Sequence, residues 1–182
     1  VINTAISFSL YHNDRKVLFA PKSKSLLDKI ANIYGKEIAK EMIPIDYKSQ
    51  LFCLGGFISK PILTRNSRDM QSIYVNKRYV RSKEIMDYVY ESYHTLLHSD
   101  RNPIVVLDFR ISPRFIDVNV HPTKDIVKIE NLFRIRDEII ATLKLALSQY
   151  QDVQRVELKN AHAKPVHTYE LKNDKQLSLV LK

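Results

Sequence analysis

Asp117-Val118-Asn119-Val120-His121-Pro122-Thr123-Lys124 alternates like a strand and then stops at a proline. Val118 and Val120 fall on one side, and Asp117, Asn119 and His121 on the other. Pro122 fixes φ and removes a donor, so the extended run ends there. Lys124 stands two residues on, a flexible cation past a rigid turn, a placement that suits a lysine reaching out of its own domain toward an anion. By itself a lysine after a proline is ordinarily a solvated surface group. The surroundings of this stretch decide between the two.

Upstream, Ile104-Val105-Val106-Leu107-Asp108-Phe109-Arg110-Ile111 starts as a continuous apolar run and ends in alternation, as a central strand that emerges at a sheet edge does. Downstream, 126–129 reads as another strand, and 131–150 as the longest helix, with Leu132, Ile135, Ile139, Leu143 and Ala146 toward the sheet. Further out, 5–11 and 16–20 read as two half-buried strands around a turn at 12–15. Residues 25–34 read as a helix closed by Gly35. Residues 51–58 form a third strand whose Gly55-Gly56 pair marks a bulge or a close backbone approach, and 71–75 a fourth. Asn76-Lys77 suits a tight turn, because Asn tolerates positive φ. From 82 to 98 the pattern is helical, with Ser82 as N-cap and Ile85, Val89, Tyr93 and Leu96 on one stripe. The order β-β-α-β-β-α-β-β-α predicts an α+β domain: a mixed sheet with helices packed on one face.

The 182 residues suffice for one domain with a core, over 1–150, followed by a linker or tail over 151–182, where periodicity fades. No apolar run approaches the roughly 18 residues of a membrane span. The first residues carry no basic n-region and no initiating Met, which reads as a cut inside a longer protein and not as a signal peptide. The net charge of +9 favours a polyanionic partner. The single cysteine, Cys53, lies in an apolar run and reads as a buried, inert thiol; an intracellular location is the default.

The stretch from Asp117 to Lys124 resembles the D-V-N-V-H-P-x-K signature of MutL-family DNA mismatch repair proteins. Ile73-Tyr74-Val75-Asn76-Lys77-Arg78-Tyr79-Val80 resembles the family's V-N-x-R-x-V segment, and Gly56-Phe57-Ile58-Ser59-Lys60-Pro61 its G-x-I-x-x-P strand end. The resemblance runs from about residue 5 to about 150. It implies the second, transducer domain of a GHKL ATPase region, similar to ribosomal protein S5 domain 2, with a left-handed β-α-β crossover. It also implies that Lys124 reaches the γ-phosphate of ATP, with its Mg ion, bound by a preceding domain, and so serves as both catalytic and cofactor-binding residue. No Asp-x-Gly-x-Gly motif occurs in this chain, which alone should not hydrolyse ATP. Arg78 maps onto the family's DNA-contacting arginine, and Lys77, Arg81 and Lys83 surround it; phosphate contacts there would be largely independent of sequence. The partners implied are double-stranded DNA, a MutL-type dimer partner and a MutS-type mismatch recognition protein, with no membrane. The location implied is the cytoplasm and nucleoid, or the nucleus.

Two rivals stand beside this reading. One is the transducer of another GHKL enzyme such as a type II topoisomerase, whose Q-T-K-like context is absent here. The other is an RNA-binding module of the ribosomal S5 kind, which would prefer RNA through its 2′-OH. His121 lacks a nucleophile near it in sequence and reads as a loop-shaping residue. His94 and His98 have metal-binding helical spacing but no evident third ligand, so no metal site is expected. Gln176-Leu177-Ser178-Leu179-Val180 resembles the peptide by which bacterial replication proteins dock on a sliding clamp, with Val180 where an aromatic usually stands. Its alternative is a short strand pairing within the parent protein.

Overall fold

The computed structural model describes residues 1–117, 128–129 and 132–162, with side chains at 1–116, 129 and 132–150. Lys124, His121 and the tail peptide at 176–180 lie outside the described residues. The elements begin with β1 (Phe8–His12), β2 (Arg15–Ala20), α1 (Leu26–Tyr34), α2 (Lys36–Lys40), β3 (Met42–Lys48), β4 (Phe52–Ser59) and β5 (Thr64–Arg65). They continue with β6 (Gln71–Val75), β7 (Arg78–Val80), α3 (Lys83–Tyr93), β8 (Asn102–Pro103), β9 (Val105–Ile111), β10 (Ile116–Asp117), β11 (Lys128–Ile129) and α4 (Phe133–His162).

Five strands form the main sheet in the order β3-β4-β9-β6-β7. All neighbours are antiparallel except β6 and β9, which run parallel and are joined through β7 and α3. That pair is the β-α-β crossover. β9 sits at the centre, as its apolar run predicts, and is buried at six of its seven positions.

Alternation along the strands sorts side chains onto two faces. Val105, Leu107, Phe109 and Ile111 of β9 join Phe52, Leu54, Ile73 and Val75 on the first face, under α3 and α4. Ile85, Val89 and Tyr93 of α3, and Ile135, Ile139, Leu143 and Leu147 of α4, fill that layer at the expected helical spacing. Each such side chain, fully buried, contributes about 1.5–3 kcal/mol of transfer free energy. Glu91 on α3 clasps Arg136 on α4 with two bonds of 2.6 and 2.7 Å. The second face carries Val106 and Tyr74, covered by Ile30, Ile38 and Ala39 of α1 and α2. The two long helices thus share one face, while the two short ones close part of the other.

Local chemistry sets the helix ends. Ser25 accepts from the Asp28 N–H while the Asp28 carboxylate accepts from Ser25 N–H, a capping box that starts α1. Gly35, at φ 105°, ends it. Ser82 accepts from Ile85 N–H at the start of α3.

The structure departs from the sequence reading in several places, the short elements α2, β5 and β8 among them. β3 was not anticipated, because Pro44 and Asp46 interrupt its apolar pattern; as an edge strand, paired only to β4, it tolerates the missing donor. α3 ends at Tyr93 and not at residue 98: His94 leaves helical space (φ 27°, ψ −104°), and Leu96 and Leu97 reach the core from a short 3-10 turn. His94 and His98 therefore do not share a helix. α4 continues to His162, twelve residues past Tyr150, through a segment rich in strong helix formers though poor in apolar periodicity. β1 and β2 form a separate two-stranded sheet with apolar side chains open on both faces, Phe8 53% exposed on one and Phe19 52% on the other. Cys53 is half-buried: in β4 its neighbours Phe52 and Leu54 face the core and it faces the other way.

The glycine pair is a close approach. Gly56 lies at φ 135°, and a Cβ there would overlap the Val106 carbonyl oxygen and stand 3.0 Å from Leu107 Cα. Gly55 has no such constraint, with Ile45 O at 4.0 Å.

Candidate nucleic-acid interface

Arg78 and Lys77 sit on the β6–β7 hairpin, at the edge of the sheet opposite β3. Val75 pairs with Arg78, leaving a two-residue loop of Asn76 (φ 50°) and Lys77 (φ 66°). Positive φ at both central residues is the turn whose twist matches that of paired strands, and Asn reaches it at low cost. The β1–β2 hairpin uses the same device at Asn13 (φ 48°) and Asp14 (φ 59°).

What holds the turn is a set of bonds to β9. Asn76 N–H donates to Phe109 O at 2.7 Å. The Asn76 side chain then acts as one more backbone unit: Nδ2 donates to Ile111 O at 2.8 Å, and Oδ1 accepts from Ile111 N–H at 3.0 Å. Lys77 N–H donates to the Asp108 carboxylate at 3.1 Å. Four bonds thus fasten the hairpin tip to the end of the central strand.

Lys77, Arg78, Arg81 and Lys83 are all exposed. The structure brings them to one sheet edge: two on the hairpin, Arg81 just after β7, and Lys83 as the first residue of α3. The partial positive charge of that helix start adds to theirs. Among the described residues, neither Lys77 nor Arg78 forms an ion pair. A row of such cations fixed by a rigid turn can neutralise phosphates without reading bases.

Several residues escaped the sequence reading. Asn76 was read for its turn and not for its cross-sheet bonds. Lys29 is 3% exposed, and its ammonium donates to the carbonyls of Ile6, Ala20 and Pro21 at 2.6, 3.2 and 2.7 Å, closing the root of the β1–β2 hairpin. No spacing rule announces a lysine whose partners are all carbonyl groups. Among the described residues no group of three or more His, Cys, Asp or Glu is arranged to hold a metal, and no helix is long and apolar enough to cross a membrane.

An α+β domain with a five-stranded mixed sheet of the ribosomal protein S5 domain 2-like class, carrying a cationic hairpin at one edge, is the type of protein these features define. One solved structure, described as the N-terminal domain of a DNA repair protein, shares the fold: the TM-score is 0.69 at 24% identity, covering 82% of this chain and 48% of that one. The family described as "DNA mismatch repair protein, C-terminal domain" matches residues 30–148. The chain belongs to this DNA mismatch repair family. It is 39% identical over 138 residues to the DNA mismatch repair protein MutL of Halalkalibacterium halodurans, and 41% identical over 144 residues to that of Geobacillus thermodenitrificans. Those alignments cover 74% and 79% of this chain, which spans 22% of the length of each relative.

Proposed function

We propose that this chain is the transducer domain of a MutL-like GHKL ATPase, with 1–150 as the domain and 151–182 as a linker or tail. In this reading Lys124 contacts the γ-phosphate of ATP, held with Mg in another part of the protein, and the edge carrying Lys77, Arg78, Arg81 and Lys83 contacts the phosphates of duplex DNA. The observation that carries it is the fastening of the Asn76-Lys77 turn onto Asp108–Ile111. The strand that anchors the hairpin is followed in sequence by the segment that bears Lys124. The three glycines, Gly35, Gly55 and Gly56, lie at a helix end and in a strand and form no glycine-rich loop. In this reading the nucleotide belongs to the rest of the protein, and Lys124 acts on it from outside. A cation there stabilises charge on the transferring phosphoryl group and senses whether that group is present. A second MutL-type chain and a MutS-type mismatch recognition protein are the partners this role requires.

Two substitutions test it. In the full-length protein Lys124→Ala should lower ATP turnover by a factor on the order of 10 to 1,000, with folding intact. Turnover at the parental rate would remove the assigned role. Arg78→Glu should weaken duplex binding about equally across sequences and make the plot of log affinity against log salt shallower by about one unit per lost phosphate contact. An unchanged slope would place the DNA surface elsewhere.

A further inference from the structure

β3 is an edge of the main sheet, paired on one side only. The ladder to β4 decides which of its backbone groups point outward. Just beyond its two ends, Lys60 N–H donates to Glu41 O and Ser49 N–H to Phe52 O, both at 2.9 Å. Glu41 and Ser49 continue the register in which Ile43, Ile45 and Tyr47 face Ile58, Gly56 and Leu54. In an antiparallel ladder, pairs that exchange bonds alternate with pairs that turn theirs away. The odd-numbered residues therefore bond to β4, and Pro44, Asp46 and Lys48 aim their backbone groups away from the sheet. A proline at such a position costs no ladder bond. It confines the usable edge to its own carbonyl, Asp46 and Lys48, groups without a partner among the described residues.

Beside this edge lies a groove. α4 runs along β3 in the opposite direction, with Glu138 accepting from the Tyr47 hydroxyl at 2.9 Å and Tyr150 under the Lys60 ammonium at the strand's other end. Ala141, Thr142, Leu145 and Ala146 form one wall of the groove and residues 44–47 the other. Leu145 is 60% exposed there. The charged groups among the lining residues are the carboxylates of Asp46 and Glu138.

We propose that the chain's own segment Leu177-Ser178-Leu179-Val180-Leu181, outside the described residues, docks here as an added strand on the free edge of β3. Its sequence and its reach support the pairing. Leu177, Leu179 and Leu181 recur with period 2 and fall on one face of a strand. Beside β3, that face can lie against Ala141 and Leu145, while the main chain bonds to Asp46 and Lys48. This is strand addition, in which backbone bonds give affinity and alternate side chains give specificity. Lys175 and Lys182 flank the segment and match the two carboxylates of the groove. The reach is sufficient. α4 ends at His162, twelve residues or about 18 Å past Tyr150. Residues 163–176 extend up to about 46 Å. A tail on so short a tether acts at an effective concentration on the order of millimolar, so a modest intrinsic affinity is enough. The same pairing would keep the open edge from joining the edge of another copy.

The test is amide hydrogen exchange, read by NMR over a series of protein concentrations, on the full chain and on the same chain ended after residue 170. In the full chain the Asp46 and Lys48 N–H groups should exchange at least about tenfold more slowly than in the shortened one. Leu177→Asp/Leu179→Asp should release them as the truncation does. Leu107 N–H, in the central strand, should exchange alike in all three and so show that the sheet is intact. Equal exchange of Asp46 and Lys48 with and without the tail would overturn the proposal. Protection that survives truncation and grows with concentration would put a second copy on the edge, and tail-dependent protection lost on dilution would mean exchange of tails between copies; either overturns docking within one chain. Saturable binding of a 165–182 peptide to a sliding clamp, with no change at β3, would assign the segment to that partner instead.

Discussion

Asn76→Ala is the substitution whose cost can be worked out most fully. It removes two bonds from the side chain, 2.8 Å to Ile111 O and 3.0 Å from Ile111 N–H, each with a net contribution of about 1 kcal/mol. Ile111 is buried, so its freed amide and carbonyl are not readily hydrated. Alanine at φ 50° adds about 1 kcal/mol that asparagine largely avoids. The total is about 3 kcal/mol, and for a chain of this size the melting temperature should fall by roughly 6–12 °C. Asn76→Gly keeps the turn and loses only the bonds, so it should fall between parent and Ala. Urea unfolding followed by circular dichroism reads this order, with the m-value unchanged. No cation is lost, so duplex affinity should drop while its salt slope holds. An Ala variant within about 1 kcal/mol of the parent, or a Gly variant less stable than Ala, would refute the account of Asn76 as a surrogate backbone unit.

Three further outcomes follow from other parts of the fold. Gly56→Ala should cost about 3 kcal/mol or more, seen as lost soluble yield or a collapsed melting temperature, whereas Gly55→Ala should be mild; equal effects would refute the close approach to Val106. Burial pushes the Tyr93 hydroxyl, which donates to Ser59 O, well above the ordinary tyrosine value. The unfolded chain therefore releases that proton first, and stability present below pH about 10 should decline above it by about 1.4 kcal/mol per pH unit; Tyr93→Phe should flatten that decline in pH-dependent urea titrations, and an identical decline would assign it elsewhere. Lys29→Met should speed amide exchange across the β1–β2 hairpin while leaving the central strand β9 protected; unchanged exchange would mean that the three carbonyl contacts do not hold the hairpin root.

The elements legible in the sequence were those whose evidence is local. β4, β6 and β9 announce themselves by apolar runs, α3 and α4 by their stripes, and Gly35 and Ser82 by the chemistry of helix ends. β3 was illegible because its pattern is broken by a proline that only its position at the sheet edge makes tolerable. The overrun of α3 has the opposite cause: Leu96 and Leu97 stay apolar after the helix has stopped. At the site, the Asn76-Lys77 turn could be read from residue preference alone. Its partners could not, because Asn76 meets Ile111 across 35 residues only once β6 and β9 have adopted their parallel register.

That dependence on register bears on mechanism. An antiparallel hairpin fixes its own register through its turn, but the parallel pairing of β6 with β9 has no turn to set it. Asn76 and Asp108 supply the substitute, since each bonds across that pair at its open end. Any force on the hairpin from a bound phosphate backbone is therefore transmitted to β9 through short, directional bonds and not through loosely packed side chains. Interfaces of that kind shift between discrete arrangements and do not deform continuously. In the proposed reading, where β9 leads to the segment that bears Lys124, this is the route by which a contact at the edge would bias the position of a lysine at a distant phosphate. The discriminating measurement is ATP turnover of the full-length Asn76→Gly protein with and without duplex DNA. Basal turnover should hold while the response to DNA weakens; an undiminished response would mean that the coupling bypasses this turn.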